Sequence, residues 1–339
     1  MKKHKICKIL LVILAIFLCV AFYELLGICV AYKKQPEVSN TTKKETKNGS
    51  WNECSENTER AVIIEKNPEA LLQRVRLIKN AKKEIILSTF AFQSDESGKL
   101  ILGALHDAAD RGVHIRLLVD GMESWIDMEG NPYFYGLSSH ENVEIKLYNK
   151  ANPLKPWKMM GRMHDKYLIA DGKRYILGGR NTYNYFLGDF PGHKNYDRDV
   201  LVVCDEPEKE NSVNQLLEYF ETIWEQEDSG YFHDNKKLAN RKSVKNAVLE
   251  LQNGYQKYFE ENKERICDTD YTDETFETEK IALVSNPIHT GSKEPVVWYQ
   301  LGELMKNAKN RVKIHTPYII CNDMMYNTWK EIAERVPDF

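Results

Sequence analysis

Hydrophobic and polar positions along the chain fall into three rhythms. The first is an unbroken apolar run. Residues 9–32 are apolar throughout except for Glu24, and four lysines lie in residues 2–8 just before them. As a helix this run spans about 36 Å, enough to cross a bilayer with some tilt. A cleaved signal peptide would have a shorter apolar region and a small-x-small cleavage site, and none stands out before Lys33. Cys29 suggests a lipid-modified cysteine, but Ile28 before it is a poor fit. The reading is an uncleaved single-pass anchor in a bacterial cell membrane. Lysines on both sides of the span leave its orientation open.

The other two rhythms begin near residue 61. The stretch 61–65 (AVIIE) reads as a short strand, and Asn67-Pro68-Glu69 opens a helix with the apolar stripe Leu71, Leu72, Val75 and Ile78. Residues 84–92 (EIILSTFAF) predict a buried strand, 97–111 a helix, and 113–120 (VHIRLLVD) a second strand. Strand, helix, strand in that order is a βαβ unit. Further strands are expected at 143–148 and 199–204. A helix follows, with Val213, Leu216, Leu217, Phe220, Ile223 and Trp224 on one face. The fold class is α/β, with a mixed, largely parallel sheet flanked by helices.

Around this unit the chain divides into an anchor at 1–32, a polar tether at 33–60, a first domain at 61–228, a charged connector at 229–279 and a further segment at 280–339. That last segment carries an internal repeat. IKNAKKEIILST at 78–89 aligns without gaps onto MKNAKNRVKIHT at 305–316, with five of twelve positions identical. Both copies read as a helix end running into a strand, so 280–339 is the incomplete start of a second, similar half. Its strand, 312–320, would expose unpaired edges and self-associate. The length of 339 residues allows this two-part organisation. A net charge of −3 argues against nucleic acid as a partner. Seven cysteines, Cys54 among them, include no C-x-x-C pair. That argues against a zinc site or a disulfide framework, and Cys204 reads as a core residue.

The chemistry concentrates in residues 164–181, HDKYLIADGKRYILGGRN. Two apolar, β-prone runs flank Asp171-Gly172, a strong hairpin signal. A two-residue turn pairs Ala170 with Lys173. It sets Lys166 opposite Leu177 and His164 opposite Gly179. His164, Lys166 and Asn181 then share one face, with a glycine leaving room for a ligand. Imidazole, ammonium and carboxamide together suit a phosphate group. Asp171 sits in the turn, where aspartate is also favoured for purely local reasons. The loop before the hairpin, 150–162, mixes Lys150, Lys155, Lys158 and Arg162 with Trp157 and two methionines. It reads either as a lipid-headgroup contact or as an ordinary solvated loop.

The string HxKxxxxDxxxxxxGGxN, filled by His164, Lys166, Asp171, Gly178, Gly179 and Asn181, resembles the signature of the phospholipase D superfamily. Six fixed residues at average usage arise by chance in such a chain with odds of roughly a few in a million. RMHDKYLIADG, GGRN and the later DRDV are most similar to bacterial cardiolipin-synthase-like members. The resemblance implies a phospholipase D-like α/β/α half and a phosphodiester substrate, with phospholipid favoured over nucleic acid. It also implies a two-step reaction without cofactor. His164 would attack phosphorus, and Lys166 and Asn181 would stabilise charge. Asp171 and Asp199 would assist, with Asp199 preferred over Asp197 to hold the far imidazole nitrogen. Gly178, Gly179 and Arg162 would line the substrate. A nuclease of the same superfamily and a non-catalytic truncated scaffold are the rival functions. Such enzymes use two His-Lys motifs and this sequence holds one. The expectation is an inactive monomer, completed by a homodimer partner or by a missing second half. Because lysine and asparagine stand where a metalloenzyme would cluster carboxylates, no metal is expected. Turnover should persist in EDTA. Activity lost to EDTA and restored by a divalent ion would refute that.

Overall fold

The computed structural model describes residues 2–49, 59–207, 210–233, 235–316 and 318–339. Residues 50–58, which include Cys54 and part of the expected tether, lie outside the described residues. In chain order the elements are α1 (Lys2–Tyr32), α2 (Asn40–Asn48), β1 (Arg60–Ile64), α3 (Asn67–Asn80), β2 (Glu84–Thr89), α4 (Glu96–Asp110), β3 (His114–Asp120), α5 (Gly121–Asp127), α6 (Pro132–Ser138), β4 (Val143–Tyr148), β5 (Tyr167–Ala170), β6 (Arg174–Gly178), β7 (Asp199–Val203), α7 (Ser212–Trp224), β8 (Ser229–Tyr231), α8 (Lys242–Glu261), α9 (Lys263–Cys267), β9 (Phe276–Glu277), α10 (Val296–Lys306) and α11 (Asp323–Arg335).

The strands form one sheet in the order β8-β4-β3-β2-β5-β6-β7-β1-β9. Side chains alternate across it as a pleat requires. Ile85 and Leu87 of β2 join the core under α3, α4, α6 and α8. Ile86 between them joins the opposite core, where Val213, Leu216 and Phe220 of α7 cover the sheet. Cys204 is fully buried there, as its apolar run suggests. The expected α/β/α layering and mixed sheet are present. The parallel part is smaller than the βαβ pattern implied. β2, β3 and β4 run parallel, whereas the hairpins through β5, β6 and β7 and the flanking β1, β8 and β9 pair antiparallel.

The hairpin register differs from the expected one. Ala170 pairs with Arg174, not Lys173, and Tyr167 with Leu177. Asp171 and Gly172 do take positive φ, 55° and 64°, and Lys173 N–H bonds the Ala170 carbonyl at 3.1 Å. Lys173, however, stays in the loop and gives its carbonyl to Cys204 N–H at 2.8 Å. The extra residue shifts the pairing by one, so the Lys166 carbonyl meets Gly178 N–H rather than Leu177.

Two other expectations change. Within the polar tether, residues 40–48 form α2, capped by the Ser39 hydroxyl on Thr42 N–H and by Gly49 in the left-handed region. The second copy of the repeat ends its helix α10 as expected, but no strand follows. The described residues of 312–320 lie outside the sheet, with one bridge from Arg311 to Asp338, and Tyr318, Ile319 and Ile320 stand exposed. A β-prone run becomes a strand only where a neighbour accepts its backbone hydrogen bonds. β2 has β3 and β5 for that. No described strand flanks 312–320.

The end of the sheet that carries the motif is pinned by buried charge. Asp199, at the start of β7, is 2% exposed. It pairs with Arg74 of α3 at 2.9 Å and with Arg180 at 3.2 Å. Arg180 also donates to the carbonyls of Ile64 and Glu65 and to Asn67 Oδ1. Removing one partner of a buried charge set strands the others. Asp199→Asn should therefore cost about 3–5 kcal/mol in urea denaturation. A fully stable Asp199→Asn with altered activity would instead restore Asp199 to a catalytic role.

Candidate active site

β2 and β3 end, β5 begins and β6 ends at one edge of the sheet. In open α/β sheets that edge, at the carboxyl ends of the parallel strands, is where ligands bind. Here Asp120 closes β3. Its carboxylate caps α5 through Met122 and Glu123 N–H, and it holds the approach to β5 through Met163 N–H at 3.0 Å and Arg162 Nε at 2.8 Å. The chain thus enters His164 on a fixed path.

Residues 162, 164 and 166 alternate onto one face and converge on Phe90, just past β2. The His164 and Phe90 rings are 4.6 Å apart, edge to face. Lys166 Nζ lies 5.2 Å, and Arg162 Cζ 5.0 Å, from the Phe90 centroid. Cations over an aromatic face gain quadrupole attraction. Lys166 Nζ also donates to the His164 carbonyl at 2.6 Å. Asn181 arrives just past β6, at the exit of the same hairpin. Thr182 N–H bonds the Ala91 carbonyl, and Ala91 N–H bonds Asn181 Oδ1 at 3.2 Å. His164, Lys166 and Asn181 therefore gather around Phe90-Ala91. The intervening Asp165 points through the sheet, where the Tyr219 hydroxyl donates to it at 2.8 Å, and burial pushes its carboxyl above the usual range.

The electrostatics suit a nucleophile beside an adjustable cation. Partial burial, with the positive charges of Lys166 and Arg162, lowers the His164 pKa below its ordinary 6.5; Asp120 and Glu123 offset part of that. The imidazole is neutral at pH 7, with its lone pair available. Burial also pulls Lys166 down to about 8, against the opposing pull of Asp165, Asp197 and Asp120.

Several sequence-based assignments change at this point. Asp171 lies at the far end of β5, roughly 20 Å of extended chain from His164. Its carboxylate accepts the backbone N–H groups of Lys82, Lys83 and Glu84, so it clasps the hairpin tip to the start of β2. Asp199 serves Arg74 and Arg180, not the imidazole. The space beside the two glycines is not left for a ligand. A Cβ on Gly178 would fall 2.0 Å from Asp199 Oδ1, and one on Gly179 would fall 2.1 Å from Asp197 Oδ2. Asp197, the second choice among the carboxylates, is the one near Lys166. Arg162 is on the site face, but Asp120 and Glu123 already neutralise its charge at 2.7 and 2.8 Å. Phe90, Asp120, Arg74 and Arg180 were not foreseen. An acidic residue closing a parallel strand was a legible signal for Asp120. Arg180 lay inside the motif, one residue before Asn181 and so on the opposite face.

Comparison with known proteins bears on the family and the fold. Residues 74–224 match the family described as cardiolipin synthase, PLD-like domain. These residues thus carry a domain similar to those of the phospholipase D superfamily. It is 28% identical over 298 residues to an uncharacterized protein of Helicobacter pylori, covering 80% of this chain and 56% of that one. It is 29% identical over 171 residues to cardiolipin synthase C of Escherichia coli, covering 46% of this chain and 34% of that one. The chain thus spans less than two thirds of the length of these relatives. Among solved structures, phosphatidylserine synthase of Haemophilus influenzae shares the fold, with a TM-score of 0.57 at 15% identity over 88% of this chain and 65% of that one.

The charge state of Lys166 can be tested with a soluble phosphodiester, whose own charge is constant over the range. Lys166 is mostly charged below its folded pKa of about 8 and neutral above it. Affinity measured by calorimetry should fall about tenfold between pH 7 and pH 9. Lys166→Met should abolish that pH dependence and raise stability at pH 7, because burial disfavours the ammonium. Unchanged affinity at pH 9 would remove Lys166 from the site.

Proposed function

We propose that this chain contributes a His-Lys half-site to a phosphodiester-cleaving, phosphatidyl-transferring reaction on phospholipid, held at the membrane by α1. The observation that carries the reading is a solvent-reachable imidazole (His164), its pKa lowered toward the neutral form, packed with a lysine of lowered pKa (Lys166) against one aromatic ring at the ligand-binding edge of the sheet. In the first step a His164 nitrogen attacks phosphorus and the bond to the leaving alcohol oxygen breaks, with that oxygen taking a proton from a second acid. In the second step water or an acceptor alcohol attacks the phosphohistidine, loses its proton to the same group and frees His164. Lys166 and Asn181 bind the non-bridging oxygens and stabilise the charge that builds on them. The second acid–base group is a further imidazole from another half-site, contributed by a second copy of the chain or by additional polypeptide.

Membrane attachment rests on α1. Lys5–Tyr32 is long and apolar enough to cross a bilayer. The cardiolipin synthases among the relatives support a lipid substrate over a nucleic acid.

The test is to incubate the protein, in vesicles, with phosphatidylglycerol and separately with single-stranded DNA. Lipid turnover is expected, together with a trapped phosphoenzyme that His164→Gln lacks, and a loss of at least about a thousand-fold in rate in that variant. DNA turnover without lipid turnover would overturn the lipid reading. Full activity in His164→Gln would overturn the mechanism.

A further inference from the structure

The loop between β4 and β5 delivers the chain to His164, and α1 rests on it. The Tyr23 hydroxyl donates to the Leu154 carbonyl at 3.1 Å. Gly27 lies so close to Pro156 that a Cβ there would be 2.5 Å from the proline Cγ. Glu24, the charged residue within the apolar run, lies on the same partly covered stripe, with one carboxylate oxygen shut off from solvent. The large apolar side chains from Ile9 to Leu18, and Val20, Phe22, Leu25 and Leu26, are exposed apart from these contacts.

These contacts set a depth. A helix needs about 20 residues to cross the hydrocarbon core. Counted from Lys8, that span ends near Ile28, so Gly27 lies at its boundary and Tyr23 about 6 Å below. When α1 spans a bilayer, Leu154 and Pro156 are therefore carried to the boundary between headgroups and acyl chains. What the loop displays there is apolar and aromatic. Leu154 is 78% exposed, Met160 57% and Trp157 45%. The adjoining α5 adds Trp125 and Ile126, each 66% exposed. They follow Met122 by three and four residues and so share its helix face, and Met122 lines the same cleft as Lys150, Lys155 and Met159. In water, so many large apolar side chains on neighbouring elements have a cost; in the interface, tryptophans are at home and lysines reach up past them to the headgroups.

We propose that the loop at 150–160, together with Trp125 and Ile126, is an interfacial patch that inserts into the phospholipid bilayer alongside α1. The patch seats the sheet edge carrying His164 at headgroup level, four residues beyond Met160, where a lipid phosphodiester lies. The placement rests on the anchor reading of α1. It does not depend on which lipid is turned over, or on turnover at all.

The test uses the full chain in vesicles of phosphatidylcholine and phosphatidylglycerol whose acyl chains are brominated at shallow or deep positions, with tryptophan emission as the readout. Wild-type emission should be quenched more by shallow than by deep bromines. The quenched fraction should fall by at least half in a Trp125→Phe, Trp157→Phe double variant, whose exposed positions leave the circular dichroism unchanged. Equal quenched fractions in wild type and double variant, with the protein still resisting a carbonate wash, would overturn the patch and leave the anchor and the lipid reaction standing. Release of the protein by carbonate would overturn the anchor and the patch together. Quenching as expected without any lipid turnover would uphold the patch and count against the proposed reaction alone.

Discussion

The burial of Asp199 between Arg74 and Arg180 is the constraint on which the site depends. Three charges out of water are costly one at a time and tolerable only as a set. The set draws together four pieces of chain: the start of β7, helix α3, the end of β1 through the Ile64 and Glu65 carbonyls, and the residue just past the paired glycines. With Arg180 fixed inward, Asn181 must face the other way, onto Ala91. The glycines belong to the same arrangement. Gly178 has no side chain because the Asp199 carboxylate occupies the place of its Cβ.

A second clasp works from the opposite end. Asp171 ties the hairpin tip to three backbone N–H groups at the start of β2, and Asp120 ties the hairpin's entry to the end of β3. β5 is thereby held in register on β2 along its length, and Phe90 stands beside His164 and Lys166. The signature string thus has a double content. His164, Lys166 and Asn181 gather around Phe90-Ala91 at the edge, while Asp171, Gly178, Gly179 and the intervening Arg180 build the frame that holds them.

The electrostatic character of the site follows from that frame. Packing against Phe90 and the strand ends removes water from His164 and Lys166, and this lowers both pKa values. Nearby carboxylates moderate the effect without pairing directly with the imidazole. The same loop that leads into His164 carries the contacts with α1, so the chemistry and the apolar helix meet through a dozen residues. A lipid phosphodiester would reach such a site with little displacement from its bilayer.

The sequence by itself determined the local elements and the identity of the motif. Apolar periodicity located β1 to β7, α3, α4 and α7 because each buries one face or stripe, and that pattern is written in consecutive residues. His164, Lys166 and Asn181 were legible because a fixed string of chemically unlike residues rarely arises by chance. Tertiary structure decided everything that depends on a partner distant in sequence. The hairpin register slipped by one because Cys204 takes the Lys173 carbonyl. Asp199 went to two arginines because α3 and Arg180 arrive from positions 74 and 180. The run at 312–320 stayed out of the sheet although its counterpart at β2 is in it, because a strand is made by its neighbours as much as by its own side chains.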